Sequence, residues 1–71
     1  LGGIEMRNPG MYLELKDGRR GIAYKKEQVH PDRLTIKLVD GNFAPIISDL
    51  TGKQKIVFKA STDVKLIGYV D

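Results

Sequence analysis

Met11 to Tyr24 read MYLELKDGRRGIAY, an alternating run, an Asp-Gly pair and a second alternating run. Asp-Gly in that setting is the strongest short-range hairpin signal, because a two-residue turn asks both central residues for positive φ. A turn at Asp17-Gly18 pairs Lys16 with Arg19, Leu15 with Arg20, Leu13 with Ile22 and Met11 with Tyr24. Tyr12 then meets Ala23 and Glu14 meets Gly21 on the opposite face, and a slip of one residue would bury Glu14. Arg20 falls on the Leu15 side at the rim of the core face, whereas Arg19 points the other way with Lys16. Gly21 sits where a small sheet must bend or be approached by another backbone.

The alternation continues outward from this hairpin. VHPDR, residues 29–33, is a turn in which Pro31 fixes φ and Asp32 can bond the backbone. In RLTIKLV, residues 33–39, Leu34, Ile36 and Leu38 share one face, and Arg33, Thr35, Lys37 and Val39 the other. A second pair, Asp40-Gly41, predicts a second hairpin that sets Phe43 opposite Leu38. Pro45 cannot donate to a ladder, so Asn42 to Ile47 is an edge strand or an extended loop. KQKIVFKA, residues 53–60, places Ile56, Phe58 and Ala60 on the core face and a row of Lys53, Lys55, Val57 and Lys59 outside. The polar STD, residues 61–63, suits a short 3₁₀ turn before a last strand, VKLIGYV, with Lys65, Ile67 and Tyr69 outward. No apolar pattern at i, i+3, i+4, i+7 survives two turns, so the chain reads as all-β with five principal strands.

With 71 residues the chain is one domain with a thin core, burying only about 60–65% of the surface its unfolded form exposes. It has no Cys and one His, which removes the disulfide and metal staples that small domains use and leaves a closed sheet, self-association or both. Residues 1–10, LGGIEMRNPG, lack periodicity and read as a flexible arm or a remnant of cloning, with Met6 or Met11 as a native start and the β domain spanning 11–71. No run approaches the ~20 apolar residues of a membrane helix, so a cytoplasmic location is expected. Net charge is +3 and is concentrated in two segments, residues 14–27 at +2 and residues 53–65 at +3.

Five short strands, tight hairpins and one polar turn before the last strand predict a small SH3-like barrel. ELKDGRRGIAY within Met11 to Tyr24 resembles the KOW motif, in which a strand, a Gly-containing turn and a second Gly before an apolar residue open such a barrel. That resemblance implies binding to RNA or to ribosome-associated partners, hence a nucleic-acid or ribonucleoprotein accessory role. The chain as a whole looks like small bacterial or phage-borne proteins with no assigned activity.

Two sets of cations are candidates for phosphate binding, Arg19 and Arg20 at the hairpin tip, and Lys37, Lys53, Lys55, Lys59 and Lys65 on the sheet. Glu14, Asp17 and Glu27 offset the first set, and lysines on exposed strands also guard a small β protein against edge-to-edge pairing. Tyr69 beside Lys65 and Lys59 is the best stacking surface for a base of RNA or DNA. Phe43, Val57, Ile67 and Tyr69 form the competing candidate, an apolar face for a protein partner or a second copy. HPD at His30 to Asp32 matches the working loop of J-domain co-chaperones, but that family flanks it with helices and strands flank it here. No nucleophile is paired with a base, since Ser48 and Ser61 lie in polar turns and His30 stands alone, so neither catalysis, metal, cofactor nor small-molecule substrate is expected.

Overall fold

The computed structural model describes residues 8–70. Its strands are β1 (Gly10–Leu15), β2 (Arg20–Tyr24), β3 (Leu34–Val39), β4 (Ile56–Lys59) and β5 (Val64–Val70), with 3₁₀ turns at Lys25–Glu27 and Ser61–Asp63. They form one antiparallel sheet in the order β4-β3-β2-β1-β5, so β4 and β5 are its edges. The chain is all-β, with the 3₁₀ turn before the last strand where the polar STD predicts it. Most of the expected arm lies outside the described residues. Its last three residues meet the 3₁₀ turn that follows β2: the Pro9 carbonyl accepts from Lys25 N–H at 2.8 Å, Asn8 Oδ1 accepts from Lys26 N–H at 3.4 Å, and Gly10 opens β1.

The first hairpin departs from expectation by one residue. Leu15 and Arg19 flank a three-residue loop, with Leu15 N–H donating to Arg19 O at 2.7 Å and Gly18 N–H to Leu15 O at 3.0 Å. Only Gly18 takes positive φ, at 91°, as in a type I turn closed by a left-handed residue. Asp17 accepts the Arg19 backbone N–H at 3.1 Å, which favours the longer loop over a two-residue turn. Leu13 therefore pairs with Gly21, Met11 with Ala23, Tyr12 with Ile22 and Glu14 with Arg20. Glu14 is nevertheless not buried, because the slip moves β2 and leaves the phase of β1 intact. Ile22 and Tyr24 change sides, and so do the arginines: Arg20 leaves the Leu15 side and pairs with Glu14 and Val39.

The second Asp-Gly hairpin has the same three-residue form. Asp40 N–H donates to Ala44 O at 2.9 Å and Phe43 N–H to Asp40 O at 3.0 Å, around a loop of Gly41, Asn42 and Phe43. Asp40 Oδ1 also accepts the N–H groups of Asn42 and Ala44, at 2.8 and 3.0 Å. Phe43 occupies the left-handed position, φ 61°, instead of pairing with Leu38, and its ring packs on Tyr12 with centroids 4.6 Å apart. A left-handed backbone costs an L-residue about 1–2 kcal/mol and a glycine almost nothing, and an aromatic pair adds about 0.5–1.5 kcal/mol. Phe43→Ala keeps the strain and loses the ring, so thermal denaturation should find it less stable than Phe43→Gly by about 1 kcal/mol. Equal stabilities, or Ala above Gly, would show that the loop carries no strain. The Pro45 segment makes isolated bridges, Val39 to Pro45 and Ile47 to Gln54, and belongs to no strand.

The core lies on the face of Leu13, Leu15, Ala23, Ile36 and Leu38, with Met11, Leu34, Ile46, Val57 and Val64 packed around it. On β3 the expected alternation holds. On β4 it is inverted: Val57 packs inward and Ile56 and Phe58 face out. Ile36, with no exposed surface, pairs with Val57, and this pairing decides the phase where Ile-Val-Phe in sequence allows either. A bulge in β5 opposite the step from Tyr12 to Leu13 leaves Ile67 unpaired. Tyr69 consequently pairs with Met11 and Lys65 with Glu14, on opposite faces, where unbroken alternation would have kept them together.

Candidate functional site

Three of the cations near the first hairpin are engaged within the chain. Arg19 Nε donates to Asp17 Oδ2 at 2.7 Å, Lys16 reaches Asp63 at 3.2 Å, and Lys37 reaches Glu27 at 2.5 Å with its ammonium 5.6 Å from the Tyr24 ring centroid. The Arg19 backbone N–H above all, with its guanidinium and the positive charges of Arg19 and Lys59, holds the Asp17 carboxyl below its ordinary range against the opposing effect of desolvation. Its cap on the loop is thus present above the unfolded-state pKa and is lost as pH falls through the lowered one. Arg19 and Arg20 lie on opposite faces, as expected of two residues that form no single clamp, although each is on the side foreseen for the other.

The remaining lysines are dispersed. Lys53 and Lys55 are exposed on the approach to β4, Lys59 sits opposite Leu34 beside Asp17, and Lys65 lies on the other edge strand opposite Glu14. Clefts beside Lys59 and Lys65 also contain Asp63, so acids interleave the positive charge there. Tyr69, 75% exposed, stands away from both lysines and leans over an apolar groove lined by Pro9, Met11, Ala23 and Gln28. Of the apolar candidates, Val57 belongs to the core periphery, Phe43 covers Tyr12, and Ile67 and Tyr69 remain half-exposed or more on β5.

The surface that sequence reasoning missed is the outer row of β4. Ile56 and Phe58 are 46% and 53% exposed on a strand that, among the described residues, has a neighbour only in β3. The Arg33 guanidinium lies 5.7 Å from the Phe58 ring centroid and His30 meets the same ring edge-on at 6.3 Å. The available signal was the consecutive Ile-Val-Phe, which supplies an apolar side chain to both faces whichever phase is chosen. Farther along, the loop between Ser48 and Lys53 carries Leu50 at its tip, 97% exposed.

Among the described residues no group of three His, Cys, Asp or Glu side chains is placed to hold a metal ion, and no helix is long and apolar enough to cross a membrane. No protein-family model, curated protein or solved structure matches the chain.

Proposed function

We propose that this chain is a non-catalytic binding module of the SH3-like type whose partner is another polypeptide. The strand order with β5 beside β1, the 3₁₀ turn between β4 and β5, and a glycine where β2 passes closest to β3 support the fold reading. The observation that carries the functional reading is the pair Ile56 and Phe58, large apolar side chains half-exposed on an edge that is open among the described residues. An unpaired edge offers backbone hydrogen bonds and an apolar row together, which is what a partner chain uses and a phosphate backbone does not.

A second reading, a nucleic-acid or ribonucleoprotein accessory acting in the cytoplasm, draws support from Phe58 itself. An exposed ring with a guanidinium against it is a stacking platform for a base. The two readings separate by salt. Fluorescence anisotropy with labelled single-stranded RNA, single-stranded DNA and duplex DNA at about 50 and 200 mM salt should show no binding that falls steeply with salt. Selection of peptides from a displayed library on the wild type, repeated on Phe58→Asp, should enrich binders that the variant loses. Nucleic-acid binding that drops steeply with salt and vanishes in Lys55→Glu with Lys59→Glu would replace the polypeptide reading by the nucleic-acid one.

A further inference from the structure

We infer that the open edge of β4 takes one extended peptide strand of the pattern acidic, apolar, any, apolar, acidic. The inference rests on the polypeptide reading above and deepens it. Leu38 N–H donates to Lys55 O at 2.9 Å, and in an antiparallel ladder the bonded pairs recur every second residue. Val57 and Lys59, opposite Ile36 and Leu34, therefore turn their backbone groups toward β3. Ile56 and Phe58 turn theirs outward, toward solvent, and the same two residues display their side chains on the outer face.

A strand added along this edge aligns five of its residues with Lys55, Ile56, Val57, Phe58 and Lys59. Side chains directly opposite each other share a face. The first and fifth residues meet ammonium groups, the second and fourth meet Ile56 and Phe58, and the third meets Val57, already packed inward. The added strand runs antiparallel to β4, which sets the backbone N–H and C=O groups of its second and fourth residues against Phe58 and Ile56. Arg33, lying against Phe58, adds positive charge at the Lys59 end, while Asp17 beside Lys59 makes the Lys55 end the stronger anchor.

Charge selects the occupant. Antiparallel pairing of β4 with a second copy that sets Ile56 against Phe58 also sets Lys55 against Lys59, and like charges directly opposite repel. The other edge, β5, is interrupted by the bulge at Ile67, which breaks the row a partner strand would need.

The test uses the full chain and two fluorescein-labelled peptides of one composition. One contains Glu-Val-Thr-Val-Glu and the other Val-Glu-Thr-Glu-Val, within identical flanks. Anisotropy should show the first binding at least about tenfold more tightly, because the second sets every charge and apolar group against the wrong neighbour. N-methylation of the two valines in the first should remove the binding, and amide chemical shifts should move at Ile56 and Phe58. Lys55→Glu with Lys59→Glu, whose melting temperature reports that it is folded, should reverse the preference toward a peptide with lysines in place of the glutamates. Equal binding of both peptides with shifts at Met11, Ala23 and Tyr69 would overturn the edge assignment and leave the polypeptide reading standing. Binding of RNA but of neither peptide would overturn both.

Discussion

Gly21→Ala is expected to lower stability by about 3 kcal/mol, near the top of the usual range for overpacking, and so to lower the melting temperature by roughly 12–24 °C in a domain of this size. A β-carbon built on Gly21 lies 2.3 Å from Ile36 Cγ2 and 2.8 Å from the Lys37 carbonyl oxygen. A rotamer change at Ile36 can relieve the side-chain contact, but the carbonyl belongs to the backbone of β3, whose neighbours Leu38 and Ile36 are buried in the core. Moving β3 away from β2 would loosen the centre of a five-stranded sheet. A domain of about 70 residues has roughly 4–10 kcal/mol of total stability, so the variant keeps only part of it. Gly41→Ala is the control: a β-carbon there meets nothing within 4 Å, and its φ is not positive. That change should stay within about 0.5 kcal/mol of the wild type. Ile36→Ala should couple with Gly21→Ala, the pair costing less than the sum of the two, because one clashing atom is gone. Melting points of Gly21→Ala and Gly41→Ala within a few degrees of each other would mean that β2 and β3 are not pressed together at this point.

Gly21 is also where reading the sequence served best, since a glycine inside a strand has few physical reasons to be there and close backbone approach is one of them. Strand number, the phase of β3 and the 3₁₀ turn were legible for the same kind of reason: Leu34, Ile36 and Leu38 alternate without a competing pattern. The hairpin register was not. A two-residue and a three-residue loop differ by one pairing step, and the choice rested on local contacts of Asp17 and Asp40 with the backbone that an Asp-Gly pair alone does not specify. The outer row of β4 was hidden by three consecutive apolar residues, whereas the bulge at Ile67 had a signal in the adjacent Gly68, which strict alternation passes over. Placing Tyr69 with Lys65 failed through the bulge alone, because period-2 counting assumes an unbroken ladder.

Gln28 holds β2 to β3 where their own ladder ends, and its replacement by Glu is expected to destabilise the domain in a pH-dependent way. Backbone pairing between these strands runs from Arg20–Val39 to Ile22–Lys37. Beyond it, Gln28 Nε2 donates to Tyr24 O at 2.8 Å and to Thr35 O at 3.1 Å, and Oε1 accepts from Thr35 N–H at 2.8 Å. The amide thus supplies both donor and acceptor to the first residues of β3, as a strand residue would. Gln28→Ala removes all three bonds from a half-buried position and should cost about 2–3 kcal/mol at any pH, water recovering part of the loss. Gln28→Glu has the same shape but, ionised, has no hydrogen to offer the two carbonyl oxygens and sets a negative charge against them. Those carbonyls favour the protonated acid, which can donate to one of them, so the folded-state pKa of this Glu lies above its unfolded value. A group so shifted contributes stability that is fully present below the unfolded pKa and lost as pH rises through the folded one. The deficit of Gln28→Glu relative to the wild type should therefore be largest near about pH 8 and shrink toward about pH 4, while that of Gln28→Ala stays level. The Glu27–Lys37 ion pair nearby is common to all three proteins and drops out of the comparison. A Gln28→Glu deficit that is flat with pH, or that grows in acid, would mean that the side chain does not face the Tyr24 and Thr35 carbonyls in solution.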